Sequence, residues 1–186
     1  MNDQQKKQLL KIAHDSVQAA VTNSNPPQTQ TDDPDLNAHC GCFVTLKNAE
    51  QLRGCLGQFI SEKPLVRLID EVAANSATSD PRFLANPITP EELPDLNIEI
   101  CALSTLKKTD DPLRLRLGKD GIYIRSQGRS GCFLPQVAEE TNWNKKQFLS
   151  YCCCHKAGLS PDAWKKPDTE VFLFTAEIFS EDYKNI

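Results

Sequence analysis

A chain of 186 residues, 39% of them apolar, is long enough for one domain with a proper core and a smaller lobe beside it. Its net charge of −4 supplies no global basic excess of the kind that neutralises phosphates, which disfavours nucleic acid as a partner without excluding a local basic patch. No apolar run reaches the ~18–20 residues of a membrane span, and MNDQQKKQLLKIAHDS lacks the core and cleavage site of a signal peptide. A cytoplasmic location with no membrane association is therefore expected. In a reducing compartment the eight cysteines read as buried apolar groups, thiolates or ligands rather than disulfide partners.

In chain order, residues 5–21 carry Leu9, Leu10, Ala13, Val17, Ala20 and Val21 near a 3.6-residue period and predict an amphipathic helix. Residues 22–38 are polar and rich in Pro, Asn and Asp, a linker or long loop, so the main body is expected from residue 39 onward. Cys42–Leu46 and Leu52–Ile60, around a polar turn, form a hairpin. Ser61 is positioned to cap the next helix, with Pro64 in its first turn. Leu65, Leu68, Ile69, Val72 and Ala73 make its core-facing stripe as far as about Ala77. Thr89-Pro90-Glu91-Glu92 has the spacing of a capping box ahead of a short helix. Leu96–Leu103 alternates as a strand, with Asn97, Glu99 and Cys101 on its polar face. Leu113–Leu117 also alternates and is expected to pair with Ile122–Arg125 through Gly118–Gly121. Cys132–Leu134 is a short strand stopped by Pro135, Lys145–Ala157 a helix ended by Gly158, and Glu170–Phe179 the last strand. Hairpins and the lack of regular βαβ alternation predict an α+β fold, a mainly antiparallel sheet flanked by helices, with a smaller second lobe.

Leu52-Arg53-Gly54-Cys55-Leu56-Gly57 stands out chemically. Glycines on both sides of a thiol admit a ligand or another backbone, and a guanidinium beside sulfur favours thiolate. A bulged strand with a buried cysteine is the plainer alternative. A two-residue loop between Lys47 and Glu50 would place Cys42 opposite Cys55 as a redox or metal-binding pair, and a longer loop would put them on opposite faces. His39-Cys40-Gly41-Cys42 lacks zinc-knuckle spacing, and Cys152-Cys153-Cys154-His155 spreads its thiols around a helix, so no metal site is assigned. Asp80 and Arg82 in Asp80-Pro81-Arg82-Phe83 are candidate site residues on a turn, Glu99 a candidate proton carrier. Arg114, Arg116, Arg125 and Arg129 are candidates for a local basic patch, and His14 reads as an exposed helix residue.

Taken in order, Phe43-Val44-Thr45-Leu46, the Leu52–Gly57 segment, Asp80-Pro81-Arg82-Phe83, Leu134-Pro135-Gln136-Val137-Ala138, Trp143 and Lys156-Ala157-Gly158-Leu159 closely resemble the AMMECR domain family, called AmmeMemoRadiSam system protein A in microbes. The likeness runs from about Cys42 to Glu181 and treats residues 1–186 as a single domain. It implies a compact α+β fold in which the Arg-Gly-Cys-Leu-Gly segment lines a cleft. It further implies one component of a pathway with a Memo-like and a radical-SAM protein. No settled reaction comes with the family, so none is transferred, and the cofactor is left unassigned. The triple cysteine before His155 and the polar segment 22–38 depart from its pattern.

The leading expectation is a cysteine-dependent enzyme or enzyme component. Cys55 would act as nucleophile or ligand, Arg53 would stabilise charge, and Glu99 or Asp80 would handle protons, with Gly54, Gly57 and Arg82 contacting a small-molecule or macromolecular substrate. The alternatives are a non-catalytic protein- or RNA-binding module and a metal-dependent role through Cys42 and Cys55.

Overall fold

A computed structural model describes residues 1–26 and 29–186. The chain divides into two compact units, Met1–Leu103 with Glu177–Ile186, and Ser104–Ala176. The fold is α+β, with antiparallel strand pairing in each unit.

In the first unit, α1 (Asp3–Thr22) opens on a capping box, the Asn2 side chain accepting from Gln5 while the Gln5 side chain accepts from Asn2. Its Leu9, Ala13 and Val17 are fully buried. The helix packs on α2 (Leu65–Thr78), which lies against β1 (Cys42–Asn48) and β2 (Gln51–Gln58). The strand order is β2-β1-β3, with β3 at Leu96–Leu103 and β2 at the edge. Alternation sends Cys42, Val44, Leu46, Ile98 and Ile100 into the core shared with both helices. Burying such side chains contributes about 1.5–3 kcal/mol each.

Three local expectations differ from the structure. The polar segment 22–38, apart from positions 27 and 28, which lie outside the described residues, is not uniformly exposed. Leu36 is fully buried, and Gln5 donates to Asp33 and Asp35. Ser61 does not cap α2; its hydroxyl accepts from the backbone N–H of Lys63. The carbonyls of Ala38 and Leu36 accept the first helical N–H groups of Leu65 and Val66 instead, so the segment closes the helix end. His14 is half-buried against Tyr183, the ring centroids 4.1 Å apart.

The second unit contains β4 (Lys107–Thr109), β5 (Asp120–Ser126), β6 (Arg129–Phe133) and the first part of β7 (Glu170–Asp182). Within it β4 and β5 flank β7, and β6 adds to β5. Helices α3 (Gln136–Thr141) and α4 (Lys145–Tyr151) bury Phe148 and Leu149 with Ile122, Ile124 and Trp164. The expected strand Leu113–Leu117 is absent. Asp111 caps a single 3₁₀ turn at Pro112–Arg114, and only Leu115 of the alternating leucines is fully buried. The hairpin is instead β5–β6, turned by Gln127 and Gly128, both left-handed at φ 51° and 73°. After α4 the helix widens into a π segment, Cys152–Lys156, and ends at Gly158 with φ 64°.

Among the described residues no helix is long and apolar enough to cross a membrane.

Candidate functional site

The site is organised by a count of residues in the β1–β2 hairpin. Its two-residue loop is Ala49-Glu50, with Asn48 opposite Gln51 and Lys47 opposite Leu52. Leu46 then faces Gly54, so Arg53 is the extra residue of a β-bulge. From there Thr45 lies opposite Cys55, and Cys42 opposite Gln58. The expected Cys42–Cys55 pair is therefore not formed: the turn sits one residue further along, the bulge adds another, and Cys42 points into the core on the other face.

The bulge turns the Arg53 side chain into the protein. It is 5% exposed and grips Glu92 in a two-pronged pair, Nε to Oε1 at 2.6 Å and Nη2 to Oε2 at 3.0 Å. Nη2 also donates to the carbonyls of Asn86 and Pro87. That pairing pulls the Glu92 carboxyl below its ordinary range. Glu92, read from sequence as part of a helix cap, keeps a hydrogen bond from the Thr89 backbone and is also an ion-pair partner, and Arg53 spends its donors on the 86–92 loop rather than on sulfur.

Both glycines of the segment answer to protein packing. A Cβ on Gly54 would fall 1.9 Å from the backbone oxygen of Ser76, where α2 presses on the strand. A Cβ on Gly57 would fall 2.2 Å from the Phe43 ring. The Ser76 hydroxyl bridges the hairpin, donating to the Val44 carbonyl at 2.9 Å and accepting from the Leu56 N–H at 3.0 Å.

Cys55 itself is held at both backbone groups. Its N–H donates to Asp80 Oδ2 at 2.9 Å, and its carbonyl accepts from Arg82 Nη2 at 2.9 Å. Asp80, 2% exposed, also accepts from the Arg82 backbone N–H, Nε and Nη2. Arg82, foremost, and the backbone donors hold its carboxyl well below the usual carboxylate range. With four donors on it, this carboxylate is a structural anchor.

The half-buried Cys55 thiol accepts a hydrogen bond from Thr45 Oγ1 at 3.2 Å. Across β1, Thr45 also faces Glu99 on β3, so Cys55, Thr45 and Glu99 form one row on the face opposite the helices. Glu99 lies two strands from Cys55, about 10 Å at ordinary strand spacing. It pairs with Lys47 at 3.0 Å, and both line an open cleft of about 580 Å³ with Asn97, Asp182 and Lys184. Cys101 on the same face is raised to about 11, first by burial and then by the charges of Glu99 and Cys55. Sequence reading missed Thr45, Lys47 and Ser76; the alternation of β1 marks Thr45 and Lys47 as one face, but no local signal marks Ser76.

The remaining cysteines are quieter. Burial pushes Cys40 and Cys132 up to about 11 and Cys42, Cys152 and Cys153 upward as well. Among the described residues no group of three or more His, Cys, Asp or Glu side chains is arranged to hold a metal ion.

The AMMECR1 family model matches residues 10–179. The chain belongs to the AMMECR1 family. It is 37% identical to a protein of Thermococcus gammatolerans over 188 residues, covering 94% of this chain and 89% of that one. A protein of Methanothermobacter thermautotrophicus is 38% identical over 181 residues, covering 94% and 93%. The crystal structure of an uncharacterised protein from Pyrococcus horikoshii matches all of the chain and 95% of its own, with a TM-score of 0.80 at 34% identity.

Proposed function

We propose that the chain is a cysteine-dependent enzyme, or the cysteine-bearing component of one, working through the Cys55 thiol. The observation that carries this reading is the clamp on Cys55. A buried carboxylate and an arginine hold its N–H and carbonyl, while its sulfur faces away from the helices with the Thr45 hydroxyl donating to it. A nucleophile held in one position needs less reorganisation at the moment of attack. Glu99, with one partner in Lys47, is the carboxylate suited to proton transfer, and Asp80 is not. Arg82, 51% exposed, and Lys47 offer cations for an anionic part of a substrate.

As an AMMECR1 member, the chain is proposed to act in the cytoplasm beside a Memo-like and a radical-SAM protein. Alkylation of anaerobically purified protein, read by mass spectrometry, tests the site. Cys55 is expected to carry a native adduct or to react ahead of Cys132 and Cys154, the other half-buried thiols. Equal rates, no adduct and undiminished in-cell function of Cys55→Ser would overturn the reading. The rival, a non-catalytic protein- or RNA-binding module, draws on the open cleft beside Glu99. A complex with the Memo-like protein that survives Cys55→Ser, with no alkylation preference, selects it.

A further inference from the structure

The net charge of −4 conceals a division between the two units. Ser104–Ala176 holds twelve Lys and Arg against eight Asp and Glu, whereas the other unit holds nine against seventeen. Within the basic unit, a cleft of about 420 Å³ is lined by Lys107, Lys108, Arg114 and Arg116, with Asp120 as its one carboxylate.

These cations come from two separate segments. Lys107 and Lys108 lie on β4, a three-residue strand paired to β7. Lysines on such a strand also discourage edge-to-edge pairing, which accounts for their presence but not for the arginines that join them. Arg114 and Arg116 arrive on the segment that follows the 3₁₀ turn. Arg116 is preset: Nε and Nη2 bond the two oxygens of Asp120 at 3.0 and 2.7 Å, and Asp120 is 7% exposed whereas Arg116 is 63% exposed. A buried carboxylate thus fixes a guanidinium that remains open to solvent over the cleft. Such fixing lowers the entropy lost when the guanidinium grips a ligand. Two carboxylates outside the cleft lean on its cations. Glu170 bonds Lys108 at 3.0 Å, and Asp111 stands 3.8 Å from Arg114, both members of that second pair being largely exposed. Pairs of this kind are weak and exchange readily for a better anion. Arg125 and Arg129, grouped with Arg114 and Arg116 on sequence grounds, turn instead to Glu170 and the Gly158 carbonyl.

We infer that this cleft binds a phosphate-bearing anion through Lys107, Lys108, Arg114 and Arg116. Four cations around one already-committed carboxylate match the multiple charge of a phosphate group, and a guanidinium matches its geometry. The phosphate can belong to a small molecule or to a nucleic-acid backbone. Isothermal titration of the full chain with inorganic pyrophosphate and, separately, with a short oligouridylate distinguishes the two.

At least one probe is expected to bind, more weakly as salt is raised. Lys107→Glu combined with Arg114→Glu should weaken it about ten-fold or more. Both side chains are exposed, so the variant should keep the native melting temperature. Arg114→Gln alone, with a smaller loss, serves if it does not. Binding of pyrophosphate assigns a small phosphate ligand; binding of the oligouridylate alone assigns a nucleic-acid backbone. Failure of both probes to bind at millimolar concentration, or unchanged affinity in the variants, overturns the inference. Cys55→Ser should leave this binding unaltered.

Discussion

The carboxylate of Asp80 accepts the backbone N–H of Cys55 at 2.9 Å, and through Arg82 the same turn reaches the Cys55 carbonyl. This holds the most reactive-looking residue of the chain by its backbone and leaves the side chain to Thr45. The arrangement has a signature in acid. A carboxyl lowered by folding contributes stability that is complete above its unfolded pKa, about 3.9, and is lost as pH falls toward the folded value. Asp80→Asn should lower stability at neutral pH and flatten the fall in stability below about pH 4. Urea denaturation as a function of pH measures both effects.

The buried Arg53 and the half-buried Glu92 make an ion pair whose members depend on each other. Arg53→Ala should cost about 2–3 kcal/mol because it leaves a half-buried carboxylate without its partner. Arg53→Met with Glu92→Leu should recover more than half of that loss. Guanidinium midpoints of the two variants, set beside wild type, give the comparison.

Gly54→Ala puts a methyl group where the Ser76 carbonyl already sits. The helix and strand must part, at a cost of about 1–3 kcal/mol or more. The melting temperature should drop by several degrees, and the Ser76 bridge between Val44 and Leu56 should loosen. Faster amide exchange at Leu56 would report the second effect.

Thr45→Val removes the hydroxyl that donates to Cys55 while keeping the strand shape. One hydrogen bond contributes about 0.5–1.5 kcal/mol, so the Cys55 alkylation rate should fall about two- to ten-fold. Circular dichroism should be unchanged. Unaltered kinetics would mean that this hydroxyl does not tune the thiol.

Much of the scaffold was readable from pattern. The stripe from Leu65 to Ala73 and the alternation of Leu96–Leu103 both specify the faces that are buried, because each depends on residues close in sequence. Leu113–Leu117 misled by the same logic. Asp111 and Pro112 start a turn there, and a turn followed by extended backbone imitates a strand. The Cys55 segment was located by its composition but misread in its reasons. Gly54 is explained by Ser76, Gly57 by Phe43 and Arg53 by Glu92. Those partners lie 14 to 39 residues away, and only the folded chain brings them together. Thr89–Glu92 satisfied a local capping pattern, while a distant arginine took the glutamate.

The bulge at Arg53 has a consequence of parity. Leu52 and Cys55 stand on one face of the sheet although they are three positions apart, because Arg53 is an odd member of its strand. Were Arg53 to take a place in the ladder instead of bulging, position 55 would exchange faces with position 56, sending the thiol toward α2 and a leucine outward. The accessibility of Cys55 is thus a matter of counting. Deleting Arg53 should close the bulge with Thr45 still opposite Cys55, so the thiol should stay outward and open to alkylation.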